Sequence, residues 1–413
     1  MAVTETTTVS WGSRIGDSLK GIVFGLVLTV VSIAALFWNE GRAVKTTQAL
    51  EEGQDNVQCV EDNSKIDPAM EGKLVHMTGT AVTEDVLHDQ MFGIDHNGIK
   101  LARKVQYYQW VEKSHTEEHK NAGGSVTKTT TYTYEAKWVD KPVDSSDFKE
   151  PGHANAVCMS AVASEAWAAE NVTFGAFKLN KGQISSVDNV QTYSLSAYKA
   201  PEAISGNSTV AGDELYISWP SQVNGTIPAP APVPGEAAAQ PVTTADPANP
   251  RIGDMRVSWT MVSPKEDVSL VAVQRKDTFG AYVAKSSGYT VDLFSCGTKS
   301  AEEMFQDAHD ANTMMTWLIR FGGWLVMFFA INMILKPISV VADVLPFLGN
   351  LAEVGLKAIA FFVSSVISLV VIAIAWIFYR PVLGIILLAC VVALIVWYIK
   401  RKSGKKAAAA QQA

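Results

Sequence analysis

His115-Thr-Glu-Glu-His119 is the run whose residue types and spacing come nearest to a catalytic metal site. It fits the pattern H-x-x-E-H, in which two imidazoles on one helical face bind zinc and the Glu118 carboxylate activates the metal-bound water. The neighbours argue against that chemistry. The run lies between VQYYQWVEK (105–113) and TTTYTYEAKWV (129–139), both rich in β-branched and aromatic residues, and beside Asn121-Ala-Gly-Gly124. That is hairpin-loop composition, so a solvated loop is the stronger reading of His115, Glu118 and His119. The other histidines show no ligand spacing, and neither a Gly-x-Ser-x-Gly elbow nor a phosphate-binding glycine loop occurs. Cys59, Cys158, Cys296 and Cys390 are scattered without a CxxC, and at most one bridge could form among the first three. No cofactor and no small-molecule substrate is expected. A membrane-bound metal hydrolase and a transporter or channel component stand as alternatives to a non-enzymatic role.

A second kind of spacing concerns packing. Gly21-x-x-x-Gly25 opens an apolar run, and Gly322-Gly323 interrupts another. Small residues let membrane helices approach closely, so these four are candidate helix-packing positions, within the protomer or between copies.

The elements that carry these residues are set by hydropathy. Gly21–Trp38 holds 18 residues without a charge, preceded by Arg14 and Lys20 and closed by Trp38-Asn39-Glu40. At ~1.5 Å per residue such a helix just spans the hydrocarbon, and no signal-peptidase site follows it. The fold class expected is α+β: a four-span helical membrane protein with a large, mainly β extramembrane domain between helices one and two. Residues 1–20 are expected to be disordered, 21–38 to form the first span and 39–311 the β-rich domain. That domain carries a Pro/Ala-rich insertion at 226–250 and one helical-looking stretch, AVASEAWAAE (161–170). Its aromatics Tyr107, Tyr108, Trp110, Tyr132, Tyr134 and Trp138 suit the packed face of a sheet better than a binding platform. Asn171, Asn207 and Asn224 head glycosylation sequons.

Ser300-Ala-Glu-Glu303 matches a capping box and starts the helix that becomes the second span, 316–335, in which Arg320 should snorkel. Lys336-Pro337 should end it. A bent interfacial helix (338–355), spans at 358–379 and 382–399 and a basic tail (400–413) complete the plan. The charge bias puts both termini on one face and the domain on the other. A net charge of −7 leaves no nucleic-acid footprint.

Asn39-Glu-Gly-Arg-Ala-Val-Lys-Thr46, Glu71-Gly-Lys-Leu-Val-His76, Tyr108-Gln-Trp-Val-Glu112, Gly253-Asp-Met-Arg-Val-Ser258, Ala301-Glu-Glu-Met-Phe305 and Phe378-Tyr-Arg-Pro381 form a collinear set. With Tyr132-Thr-Tyr134, Trp138 and Gly152-His153, the set resembles the LUMA family (transmembrane protein forty-three). The Pro/Ala insertion and the Ala/Gln tail depart from the animal pattern and suggest a distant member, a bacterial one included. The resemblance implies four spans, one large loop and no catalytic residues. It also implies a self-associating scaffold, a homo-oligomer within the lipid bilayer that organises other membrane proteins. In animals these are lamin- and emerin-type partners in the endoplasmic reticulum and inner nuclear membrane. For a bacterial member the setting becomes the cytoplasmic membrane with a periplasmic domain, and those partners do not transfer.

Overall fold

The computed structural model describes residues 3–155, 162–218, 244–344 and 346–380. The expected fourth span (382–399), the basic tail, Asn224, Cys158, Cys390 and most of the Pro/Ala insertion lie outside them.

Three long helices organise the molecule: α1 (Trp11–Asn56), α2 (Ala301–Ala342) and α3 (Pro346–Tyr379). Each contains an apolar stretch long enough to cross a membrane. α1 does not stop at the end of its apolar run. It continues without a break for 46 residues, because Ala43–Gly53 is itself helix-compatible and gains a core to pack on. Ser300 caps α2 as expected, its hydroxyl accepting from the Glu303 N–H while the Glu303 carboxylate accepts from Ser300 N–H. Pro337 does not end α2, which runs on to Ala342 and is capped at Asp343. A proline interrupts one backbone hydrogen bond, but inside a bundle packing on both sides holds the helix together. The separate interfacial helix expected at 338–355 is therefore absent: its first part belongs to α2, and Pro346 opens α3.

The strands used below are β1 (Val3–Val9), β2 (Leu74–Val82), β3 (Lys100–Lys120), β4 (Val126–Val139), β5 (Ser208–Ala211), β6 (Glu214–Ile217), β7 (Met255–Val262), β8 (Lys265–Arg275) and β9 (Leu293–Cys296). One sheet runs β1-β4-β3-β7-β6-β5. A second is centred on antiparallel β2 and β8, with β9 on the far side of β8. The N-terminal segment expected to be disordered supplies β1, whose Val3–Val9 pairs residue for residue with Tyr132–Val126. Its β-branched valines and threonines suit an edge strand, and β4 offers an edge. The stretch expected to be helical supplies a short strand, Glu165–Ala168, on Lys100–Arg103. Tertiary pairing overrides its alanine-rich helix propensity. The two strands entered through Gly-Asp, β6 and β7, are direct antiparallel neighbours, so the insertion is the connection of a hairpin.

β8 explains why the domain is tied to the helices. Its residues 268–274 are all buried, because both faces of that strand are covered. One face joins Val75, Met77, Phe174 and Phe279 in the core of the second sheet. The other joins Ala49 and Leu50 of α1 with Met304 and Phe305 of α2. The polar halves of α1 and α2 are thus part of the domain's core.

Candidate functional site

β3 and β4 form a hairpin far longer than the sheet they leave. β3 pairs with β7 only as far as Tyr107, and then runs on against β4 to Lys120. At ~3.3 Å per residue that extension measures about 43 Å, against about 27 Å for the apolar stretch of α1. The expected loop at His115–His119 is therefore strand, and the turn is Asn121–Ser125, closed by the Asn121 N–H donating to Ser125 O at 2.8 Å. Strand alternation sends His115 and His119 to one face, about 13 Å apart, and Glu118 to the other. Glu118 pairs with Lys128 at 2.6 Å, and His115 is 80% exposed. These three residues do not converge, and among the described residues no three metal-ligating side chains do.

The hairpin tip reaches the end of α1 opposite the domain core. Arg14 donates to the Gly124 carbonyl and pairs with Asp343, while Lys120 lies 3.0 Å from Asp343 and 2.8 Å from Glu353. Burial alone would lower the Lys120 pKa, but the carboxylates of Glu353 and Asp343 outweigh it and hold the ammonium above its ordinary value. The Trp11 indole donates to Val340 O at 2.9 Å, and Gly123 N–H donates to Val344 O at 3.1 Å. Asp343, whose charge marks the sequence as a poor span, is the hub of this end and is 1% exposed.

At the domain end of the apolar stretch the polar residues of α1 and α2 clamp the two helices. Arg320 makes two hydrogen bonds to the buried Glu40 carboxylate, each 2.7 Å, instead of snorkelling outwards. Asn39 donates to Thr316 O, and Arg42 donates to Asn312 and Thr316. Beside them Gly41 lies flat against the Tyr379 ring of α3, so that an added Cβ would come within 2.5 Å of it. Sequence reasoning missed this clamp. Its signal was Asn39-Glu40-Gly41-Arg42, four residues in a row with no apolar side chain where a helix is leaving lipid.

The candidate packing glycines divide. A Cβ on Gly25 would meet Ala330 O at 2.8 Å, and one on Gly323 would meet Leu36 Cδ2 at 2.6 Å. Gly21 has only ordinary contact, at 3.8 Å, and Gly322 faces open space. α1 and α2 therefore approach closely at Gly25 and Gly323, which lie at different levels of the pair.

The aromatics also divide. Tyr107 is buried in the core, its hydroxyl donating to Val162 O. Tyr108 and Trp138 lie on the outer face of the sheet with Tyr216, while His153 stacks on Tyr134 at 4.2 Å and meets Trp110 edge-on at 4.5 Å. Of the described sequons, Asn171 is exposed with its amide donating to Asp85, and Asn207 is half-buried. Cys59 and Cys296 are free thiols.

Helices whose apolar flanks are exposed at Val23, Val27, Val30, Phe329, Phe362 and Val366, and whose polar halves enter a β-sheet core, define an integral multi-pass membrane protein with a large β-rich domain. A family model described as Transmembrane protein 43 matches residues 107–381. The chain is 33% identical over 398 residues to Transmembrane protein 43 of Rattus norvegicus, covering 94% of this chain and 91% of that one. It is 32% identical over 384 residues to the Homo sapiens protein of the same name (91% and 88% covered). It is 30% identical over 393 residues to the Transmembrane protein 43 homolog of Drosophila melanogaster (92% and 94% covered). No solved structure matches. The chain belongs to the Transmembrane protein 43 family.

Proposed function

We propose that the chain is a non-enzymatic membrane scaffold that self-associates and holds other membrane proteins against its β-domain and helices. The observation that carries the self-association is the hairpin. Its base joins the domain sheet and its tip docks on Arg14 at the far end of α1, so its shaft spans the length of the apolar stretch, yet it exposes Lys113, His115, Glu117 and Thr4, Thr6, Thr7 and Thr8 of β1. Among the described residues β1 has no strand on its outer side, and β3 beyond Trp110 pairs only with β4. Open edges and charged side chains are not stable against hydrocarbon, so that flank needs a polar cover. A second copy of the same flank supplies one by symmetry. The unbroken helices α1 and α2 add the second requirement of a scaffold, a domain held at a fixed attitude to the bilayer. Lamin- and emerin-type partners belong to this reading only in an animal-type nuclear envelope.

The test is single-cysteine crosslinking in native membranes with Thr6→Cys on the exposed edge strand β1, combined with identification of membrane proteins that co-purify in stoichiometric amounts. A crosslinked dimer or larger closed species is expected. A chain that stays monomeric at every crosslinker length contradicts the proposal.

A further inference from the structure

Beside the hairpin dock, at the end of α1 away from the domain, lies a half-open cavity of about 380 Å³. Arg14, Lys128 and Lys336 line it together with the carboxylates of Asp17 and Glu118 and with Gly21 and Met333. We infer that this cavity binds the phosphate of an anionic phospholipid, with Lys336 as the principal contact and the space over Gly21 admitting the start of the acyl chains. The proposal goes beyond scaffolding, and it holds whether or not the chain self-associates.

Three observations lead there. Gly21 is the first residue of the uncharged run, so the cavity sits where headgroups meet hydrocarbon. Two of its cations are held in direct ion pairs, Arg14 by Asp343 and Lys128 by Glu118, whereas Lys336 has no carboxylate within 4.0 Å among the described residues and feels Glu353 only at longer range. It is therefore the lining cation available to an incoming anion. Finally, Gly21 does not pack a helix. A Cβ there would have only Met333 O within 4 Å, at 3.8 Å, so the missing side chain leaves room on the cavity wall. From that wall the exposed apolar flank continues toward the domain through Phe24 of α1, one turn on from Gly21, and Phe329 of α2, one turn on from Met333. Charge at one end and a continuous apolar track at the other match a phospholipid, and a soluble phosphate would leave the track unused.

Full-length protein, stripped of native lipid in detergent, is titrated with phosphatidylserine or phosphatidylcholine, and bound lipid is counted by native mass spectrometry. One phosphatidylserine per chain is expected to be retained in preference to phosphatidylcholine. Lys336→Gln should lower its affinity about five-fold, the worth of one cation near a charged headgroup. Gly21→Leu fills the cavity and should remove retention. Lys357→Gln is the control, since Lys357 is 61% exposed and lies outside the cavity lining. Equal retention of the two lipids overturns the inference, as does an equal loss with Lys357→Gln and Lys336→Gln. Displacement of the lipid by millimolar inorganic phosphate would also overturn it, marking a site for the free anion. Lys336 is exposed, so its variant keeps the test decisive if Gly21→Leu does not fold.

Discussion

Glu40 and Arg320 meet where α1 and α2 leave the apolar zone, and the pair is valuable chiefly for what its loss would leave behind. Removing one member of a buried pair strands the other charge, at a cost of about 3–5 kcal/mol, whereas replacing both costs far less. Glu40→Ala should therefore lower the melting temperature of the detergent-extracted protein sharply. Glu40→Gln combined with Arg320→Gln should recover most of the loss; no recovery would mean that the clamp is not an isolated pair. Asp85 gives a pH signature in the domain. Backbone and side-chain N–H bonds from Asn171, with another from Glu170, hold its carboxyl below the usual aspartate range, and slight burial opposes them. Because the folded value is the depressed one, its contribution is complete above the ordinary value of about 4 and is lost as pH falls through the lower folded value. Asp85→Ala should cost about 1 kcal/mol at neutral pH, since solvent screens this half-exposed carboxylate, and flatten that acid limb, as read by urea midpoints across pH. Single residues of this kind were poorly legible in the sequence. Glu40 and Asp343 looked like charges at the borders of apolar runs, and their partners lie 280 and 329 residues away.

At the scale of elements the apolar periods and the cap were legible. Gly21–Trp38 marks its helix by composition, and Ser300–Glu303 marks the start of α2 by a local hydrogen-bond pattern that needs nothing else in the chain. Less legible were elements that exist only through a distant partner. Val3–Val9 has no apolar face of its own and becomes β1 because β4 offers an edge. Glu165–Ala168 becomes strand on the edge of β3 against its own propensity. The glycines show the same limit, since spacing selected Gly21 and Gly25 together and only the packed pair separates them. Gly25→Leu should push α1 off Ala330 and Ile334 and destabilise the extracted fold by about 1–3 kcal/mol. Gly322→Leu, with open space around it, should leave the melting temperature unchanged. Equal effects from the two would mean that the helices do not meet at Gly25. Likewise, His115→Ala with His119→Ala should alter neither metal content nor melting, because strand geometry keeps the two rings apart; a loss of stoichiometric zinc would contradict that arrangement.

For the whole molecule, hydropathy anticipated an α+β membrane protein, and the structure adds how its parts are joined. α1 is one rod, apolar in the membrane and part of the sheet core beyond it, and α2 returns alongside it. α3 then runs back from the hub at Asp343 until Tyr379 rests on Gly41. No local pattern could reveal that residues 121–125 come back to the N-terminal end of α1, because the contacts that hold them join Gly124 to Arg14 and Gly123 to Val344. The polar flank, its cover by a second copy and the headgroup cavity all depend on that return. The direct test is labelling with a membrane-impermeant thiol reagent in sealed vesicles, with Cys59, Cys158, Cys296 and Cys390 replaced and one cysteine restored at a time. The positions are Ser13→Cys, Ser64→Cys and Ala122→Cys, all exposed. Ser13→Cys and Ala122→Cys should react from one side of the membrane and Ser64→Cys from the other. Reaction of Ser13→Cys and Ser64→Cys from the same side would contradict the crossing of α1, and reaction of Ala122→Cys together with Ser64→Cys alone would contradict the docked hairpin.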